Sequence, residues 1–168
     1  LNYLTFSTGV YTDLSTFRKL SPFQRISIFI SSAVKEAMPL LTSIVDDDIQ
    51  SLGVEVDWVA VDPDINSLIE RLSENIEAVY LMPLIEISSK EVKLLVDELN
   101  RKKVPTFSMW GGRYLQQGAL ASLHSDKAAY QLARRLALNI QRSLLGEDPG
   151  DLTTYPPGEK KLRINMAT

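Results

Sequence analysis

Strand-like and helix-like segments alternate along this chain at a steady interval, and that alternation restricts the fold more than any other feature. "RISIFISS" (25–32) alternates in hydrophobicity and ends in two hydroxyls, which reads as a strand. "VEVDWVAVD" (54–62) reads as a second strand, with its valines on one face and Trp58 among them. "AVYLMPL" (78–84) is a near-continuous apolar run, as expected of a parallel strand buried on both faces. "VPTFSMW" (104–110) and "GALASL" (118–123) are further strands, and "KLRINM" (161–166) is the last.

Helical spacing fills the gaps. After the first strand, Met38, Leu41, Ile44, Val45, Ile49 and Leu52 share a stripe that stops at Gly53. Proline is tolerated only in a first turn, so Pro39 predicts a helix that begins near Lys35 or later. Asp64 can cap a short helix carrying Ile65, Leu68, Ile69 and Leu72, and Ser88 or Ser89 can cap "KEVKLLVDELNRKK". Asp126 can cap a long helix through Leu145 that ends at Gly146, with an apolar stripe that includes Leu132, Leu136, Ile140 and Leu144. Strands alternating with helices predict an α/β fold built from βαβ units, a mostly parallel sheet flanked by helices.

With 168 residues the chain fits one compact domain or one lobe of a larger protein. A net charge of −3 and an isoelectric point near 5.2 provide no general attraction to phosphate backbones, so no nucleic-acid partner is expected. The absence of cysteine excludes disulfide scaffolds, thiolate zinc sites and cysteine nucleophiles, and is compatible with an extracytoplasmic location. His124 is the one histidine and cannot make a histidine-rich metal site. No apolar stretch reaches the roughly 18–20 residues of a membrane helix. The opening at Leu1, without a basic and then apolar leader, leads us to expect a trimmed piece of a longer protein.

In an open α/β sheet, ligands bind beyond the carboxyl ends of the strands. The candidate ligand-binding residues are therefore Ser31 and Ser32, then Leu84, Ile85 and Glu86, then Trp110 and Gly111, with Asp62, Gly112, His124 and Ser125 at equivalent places. No nucleophile elbow, dinucleotide fingerprint or phosphate loop occurs among them, so neither an enzyme nor a cofactor is expected. Consecutive helical residues point about 100° apart, so Asp46, Asp47 and Asp48 read as a solvated face and no metal is expected. Two readings are open for Trp110: a flat face that stacks on a ligand beside glycines that allow close approach, or a residue closing the end of the sheet. Glu86 either takes an ammonium group or belongs to the turn before the next helix. His124 either bonds a ligand or is a surface or helix-entry histidine, and the second reading is favoured.

Several phrases in order resemble one family. "STGVYTDLSTFRKLSPFQRISIFISS" is similar to its "TGV…D" segment, "AVYLMPL" to its "DAIYVP" strand, and "KVPTFSM" to its "KIPVF" strand. "QGALASLHSDKAAYQLARRLALNIQRSLLGEDPGDL" resembles its "GALAS…D…ILLGE.P.D" stretch, and "KLRINMAT" its last strand. The family is the ABC-transporter substrate-binding proteins related to tryptophan and tyrosine uptake, built on the type I periplasmic binding protein fold. The resemblance implies the C-terminal lobe of a two-lobed, periplasmic, non-catalytic solute binder whose partner is an ABC permease. It implies that residues 1–24 are the connection from an N-terminal lobe and 25–123 the ligand-binding-type lobe. Residues 124–149 would be a crossing helix packed on the other lobe, and 150–168 the return connection and final strand. An amino-acid-like or aromatic solute is implied, although Ile85 and Glu86 stand where amino-acid-binding members carry an Asp-Asn type pair. "LARRLALNIQRSLLGEDPGDL" also resembles such domains at the front of TolC-like outer-membrane efflux proteins, which implies a sensing or docking module as the alternative. Without an N-terminal lobe, the long helix's stripe would have to be covered by rearrangement, by an oligomer or by a neighbouring molecule.

Overall fold

The computed structural model describes residues 9–72, 75–124, 128–152 and 161–167. Helix α1 (Val10–Leu20) leads into β1 (Arg25–Ser31), the short α2 (Ser32–Ala37) and α3 (Leu41–Ile49), then β2 (Glu55–Val61), α4 (Ile65–Arg71) and β3 (Val79–Leu81). Helix α5 (Ser89–Arg101), β4 (Thr106–Ser108), α6 (Gly112–Leu115), β5 (Ala121–Ser122), α7 (Ala128–Leu144) and β6 (Arg163–Ile164) complete the order. The six strands form one sheet in the order β2-β1-β3-β4-β5-β6, parallel throughout except for the antiparallel β6.

Strand side chains alternate between two buried faces, because the period of a strand is two. Ile26, Ile28, Ile30, Tyr80 and Phe107 pack with Leu14 and Phe17 of α1 and Val45 and Ile49 of α3. Phe29, Val79 and Leu81 pack on the opposite face with Leu68 of α4 and Leu95, Val96 and Leu99 of α5. Covering both faces is what allows near-continuous apolar strands such as β3. Helix α5 starts at a capping box: the Ser88 hydroxyl accepts from the Glu91 amide, and the Glu91 carboxylate accepts from the Ser88 amide. Asp64 caps α4 by accepting from the Ser67 amide, as its sequence position predicts.

Two expectations require correction. Helical structure starts before Pro39, at Ser32, and breaks at Met38–Leu40, so one predicted helix is two. The proline ring drives the preceding residue out of the helical region, and Met38 sits at φ −130°, ψ 67°. The valines of β2 also do not share one face: Val56 packs with Trp58 on the α1 side, and Val59 and Val61 on the α5 side. Short α6, between β4 and β5, occupies what the sequence reads only as a glycine loop.

Candidate functional site

The strand order reverses between β1 and β3, so the loops that leave these neighbouring strands diverge to opposite sides of the sheet. A crevice at the carboxyl ends is the geometric consequence of such a switch point, and ligands of open α/β sheets bind there. Ser31 ends β1, and the segment Leu84–Glu86 follows β3, so both predicted groups border it. The Ser31 hydroxyl donates to Glu86 Oε2 at 2.6 Å, and the Ala33 amide donates to the same oxygen at 2.9 Å. Glu86 thus bridges the switch point and caps the start of α2. The Ala33 amide and then the Ser31 hydroxyl hold its carboxyl below the ordinary carboxylate value, because both bond the ionised form.

Asp62, which follows β2, accepts a short hydrogen bond from the Ser32 hydroxyl. Its charge acts on Glu86 in the opposite sense to the hydrogen bonds, raising the cost of a second anion nearby. Two carboxylates held by two serine hydroxyls therefore give this edge of the sheet negative potential. Ile85, 59% exposed, adds an apolar side chain beside them, while Leu84 is buried in the α5-side core.

The β4 loop supplies a different chemistry. Gly111 adopts φ 62°, ψ −141°, a conformation that costs other residues, and α6 begins directly after it. Trp110 meets Tyr114 edge-on, with ring centroids 5.9 Å apart. The Arg113 guanidinium lies 4.9 Å from the Trp110 ring centre and reaches Ser89 Oγ at 3.5 Å. Tyr114, buried beneath this loop, accepts a hydrogen bond from the Leu84 amide at 2.8 Å, which ties the loops after β3 and β4 together. One face of Trp110 is thus occupied by its own loop. Arg113 and Tyr114 are absent from the sequence-derived site, because Trp110 lies before α6 and no helical period links it to them in sequence.

His124 corrects the reading of a surface histidine: it is buried, with Nε2 3.2 Å from Asp13 Oδ2. The Tyr80 hydroxyl donates to the same carboxylate oxygen at 2.7 Å, and burial, followed by the adjacent Asp13 charge, holds this phenol well above its ordinary value. Nothing in sequence marks Asp13 as the partner of Tyr80 and His124, because they lie 67 and 111 positions along the chain. Asp46 and Asp48, read as solvated, are exposed but accept hydrogen bonds from Trp58 Nε1 and the Tyr11 amide. No group of three or more metal-ligating side chains occurs among the described residues. Asp126, Ser125 and the "TTYPPGEK" connection lie outside those residues.

No protein-family profile matches the chain, and no curated protein matches it. Solved structures do. A conserved domain protein from Vibrio cholerae superposes with a TM-score of 0.70 at 21% identity, over 94% of this chain and 53% of that one. The ABC domain in complex with L-Trp from Streptococcus pneumoniae gives 0.69 at 18% identity, over 92% of this chain and 52% of that one. A ligand-free, open substrate-binding protein with adhesive properties from Clostridium difficile gives 0.63 at 16% identity, over 95% and 54%. The likeness shows that the chain shares their α/β fold, and the chain spans about half the length of these structures. No helix among the described residues is long and apolar enough to cross a membrane.

Proposed function

We propose that this chain forms one lobe of a two-lobed, non-catalytic solute-binding protein that works outside the cytoplasm with an ABC-type transport system. The observation that carries the proposal is the Ser31–Glu86 bridge at the switch point, with the Trp110–Arg113 loop on the neighbouring strand of the same sheet end. Negative charge from Glu86 and Asp62 suits an ammonium group, the Arg113 guanidinium suits a carboxylate, and Ile85 and Trp110 suit an apolar body. The ligand class is therefore a zwitterionic amino acid or a close analogue. The L-Trp of the pneumococcal relative is the first compound to try.

A half-site of this kind binds weakly until a second lobe closes over it, expels water and strengthens each polar contact. Two features support a second lobe: the half-length span of the structural relatives and the surface of α7. Leu136, Ile140 and Leu144 of α7 are exposed, Asn139 is buried, and no apolar side chain described on α7 belongs to either core of the sheet.

Fluorescence titration of the intact protein with L-tryptophan, other amino acids, nucleobases and aromatic acids tests the proposal. Saturable binding confined to zwitterions, weakened by Glu86→Gln and by Trp110→Ala, is expected. Flat titrations throughout, together with capture of an outer-membrane component, would establish the docking-module alternative instead.

A further inference from the structure

Asp13 is the one carboxylate among the described residues that is buried, at 1% exposure, and it takes no part in the proposed cleft. Its Oδ2 holds both the Tyr80 hydroxyl and His124 Nε2, while its Oδ1 is buried with no hydrogen-bond partner among those residues. Sequestering a carboxylate is costly, and leaving one of its oxygens unpaired adds to the cost. The face of the sheet on which it lies already has Leu14, Phe17, Ile28 and Phe107 to pack it, so the polar cluster is not needed to build the core.

What distinguishes the cluster is the set of segments that it joins. Asp13 lies in the first turn of α1, Tyr80 in the middle of β3, and His124 directly after β5. The first and last are separated by 111 positions. Asp13 lies in the segment 1–24 and His124 opens the segment 124–149, the two that the family resemblance implies cross to a second lobe.

We propose that Asp13 and His124, with Tyr80 orienting the carboxylate, form a latch that makes the two crossings move as one unit and so limits how far the lobes open. The inference rests on the two-lobed reading. A buried hydrogen bond suits this task because it fixes direction and register, whereas an apolar contact of the same area can slide. Burial also protects it from salt screening.

Small-angle X-ray scattering on the ligand-free natural protein that contains this chain provides the test, comparing wild type with His124→Leu and His124→Gln. A wild-type profile with a single compact lobe overturns the two-lobed reading and the latch with it. Given two lobes, His124→Leu should shift the radius of gyration upward, and His124→Gln, whose amide nitrogen can stand near the Nε2 position, should restore most of the wild-type value. An unchanged radius in His124→Leu, or equal opening in both variants, overturns the latch and leaves the lobes standing. If His124→Leu does not fold, hydrogen exchange on the unaltered protein decides: amides of Val10–Leu14 and Ala121–His124 should open together, and separate opening rejects the latch.

Discussion

The carbonyl oxygen of His124 lies 2.8 Å from the place where a β-carbon on Gly111 would stand. The loop after β4 and the end of β5 therefore meet at a distance that only glycine permits. The contact is with backbone, which cannot swing aside as a side chain can, and the positive φ of Gly111 adds its own penalty. Gly111→Ala should cost about 1–3 kcal/mol, measured as a lower urea midpoint. An unchanged midpoint would mean that the β4 loop can shift without loss.

Tyr114→Phe removes the acceptor of the Leu84 amide while keeping the ring that packs on Trp110. A buried amide left without a partner costs about 1–3 kcal/mol. The loss should appear in the unfolding midpoint, with faster hydrogen exchange at Leu84. Wild-type exchange there would indicate that the two loops are held together by packing alone.

Glu86 imposes a pH dependence of known sign. The folded protein holds its carboxyl below the ordinary 4.5, mainly through the Ala33 amide and then the Ser31 hydroxyl, while the unfolded chain returns to the ordinary value. The unfolded chain therefore binds the proton first as pH falls. The stabilising contribution is complete above about pH 4.5 and is lost through the window beneath it. Glu86→Gln should flatten the acid limb of the stability curve. An identical limb in wild type and variant would rule out this carboxylate as a contributor.

Tyr80 acts at the other end of the scale. Burial, with Asp13 beside it, raises the phenol well above 10.0, so on raising pH the unfolded chain loses this proton before the folded one does. Stability attributable to Tyr80 is intact below 10.0 and declines as pH rises beyond it. Tyrosinate absorbance should show Tyr80 ionising only as the protein unfolds, and Tyr80→Phe should remove that component. Free titration of all six tyrosines in the folded state would contradict the burial of this hydroxyl.

Much of the sheet was legible because strand and helix periods are local properties. "AVYLMPL" is apolar on both faces and forms the fully buried β3; of the two candidate caps for α5, Ser88 and Ser89, the structure uses Ser88. Pro39 shows in sequence that a helix must be disturbed there, but not that helical turns also form before it, as α2 does. The valines of β2 suggest a single buried face because an edge strand with polar residues interspersed mimics one-sided burial, whereas they divide between both faces. Ser31, Ser32 and Glu86 stand out in sequence by position alone, as residues that follow strand ends, and the structure joins Ser31 to Glu86 by a hydrogen bond.

The sequence by itself determined the alternation of strands and helices and the cap at Asp64, since each follows from neighbours within a few positions. Only the tertiary structure decided the strand order, and with it the switch point that brings Ser31 to Glu86 across 55 positions. The same holds for Asp13, Tyr80 and His124, whose chemistry exists only because α1, β3 and β5 bury them against one another. Hydrogen bonds between remote side chains leave no periodic trace in sequence; they depend on which strands become neighbours, and packing of the whole sheet sets that.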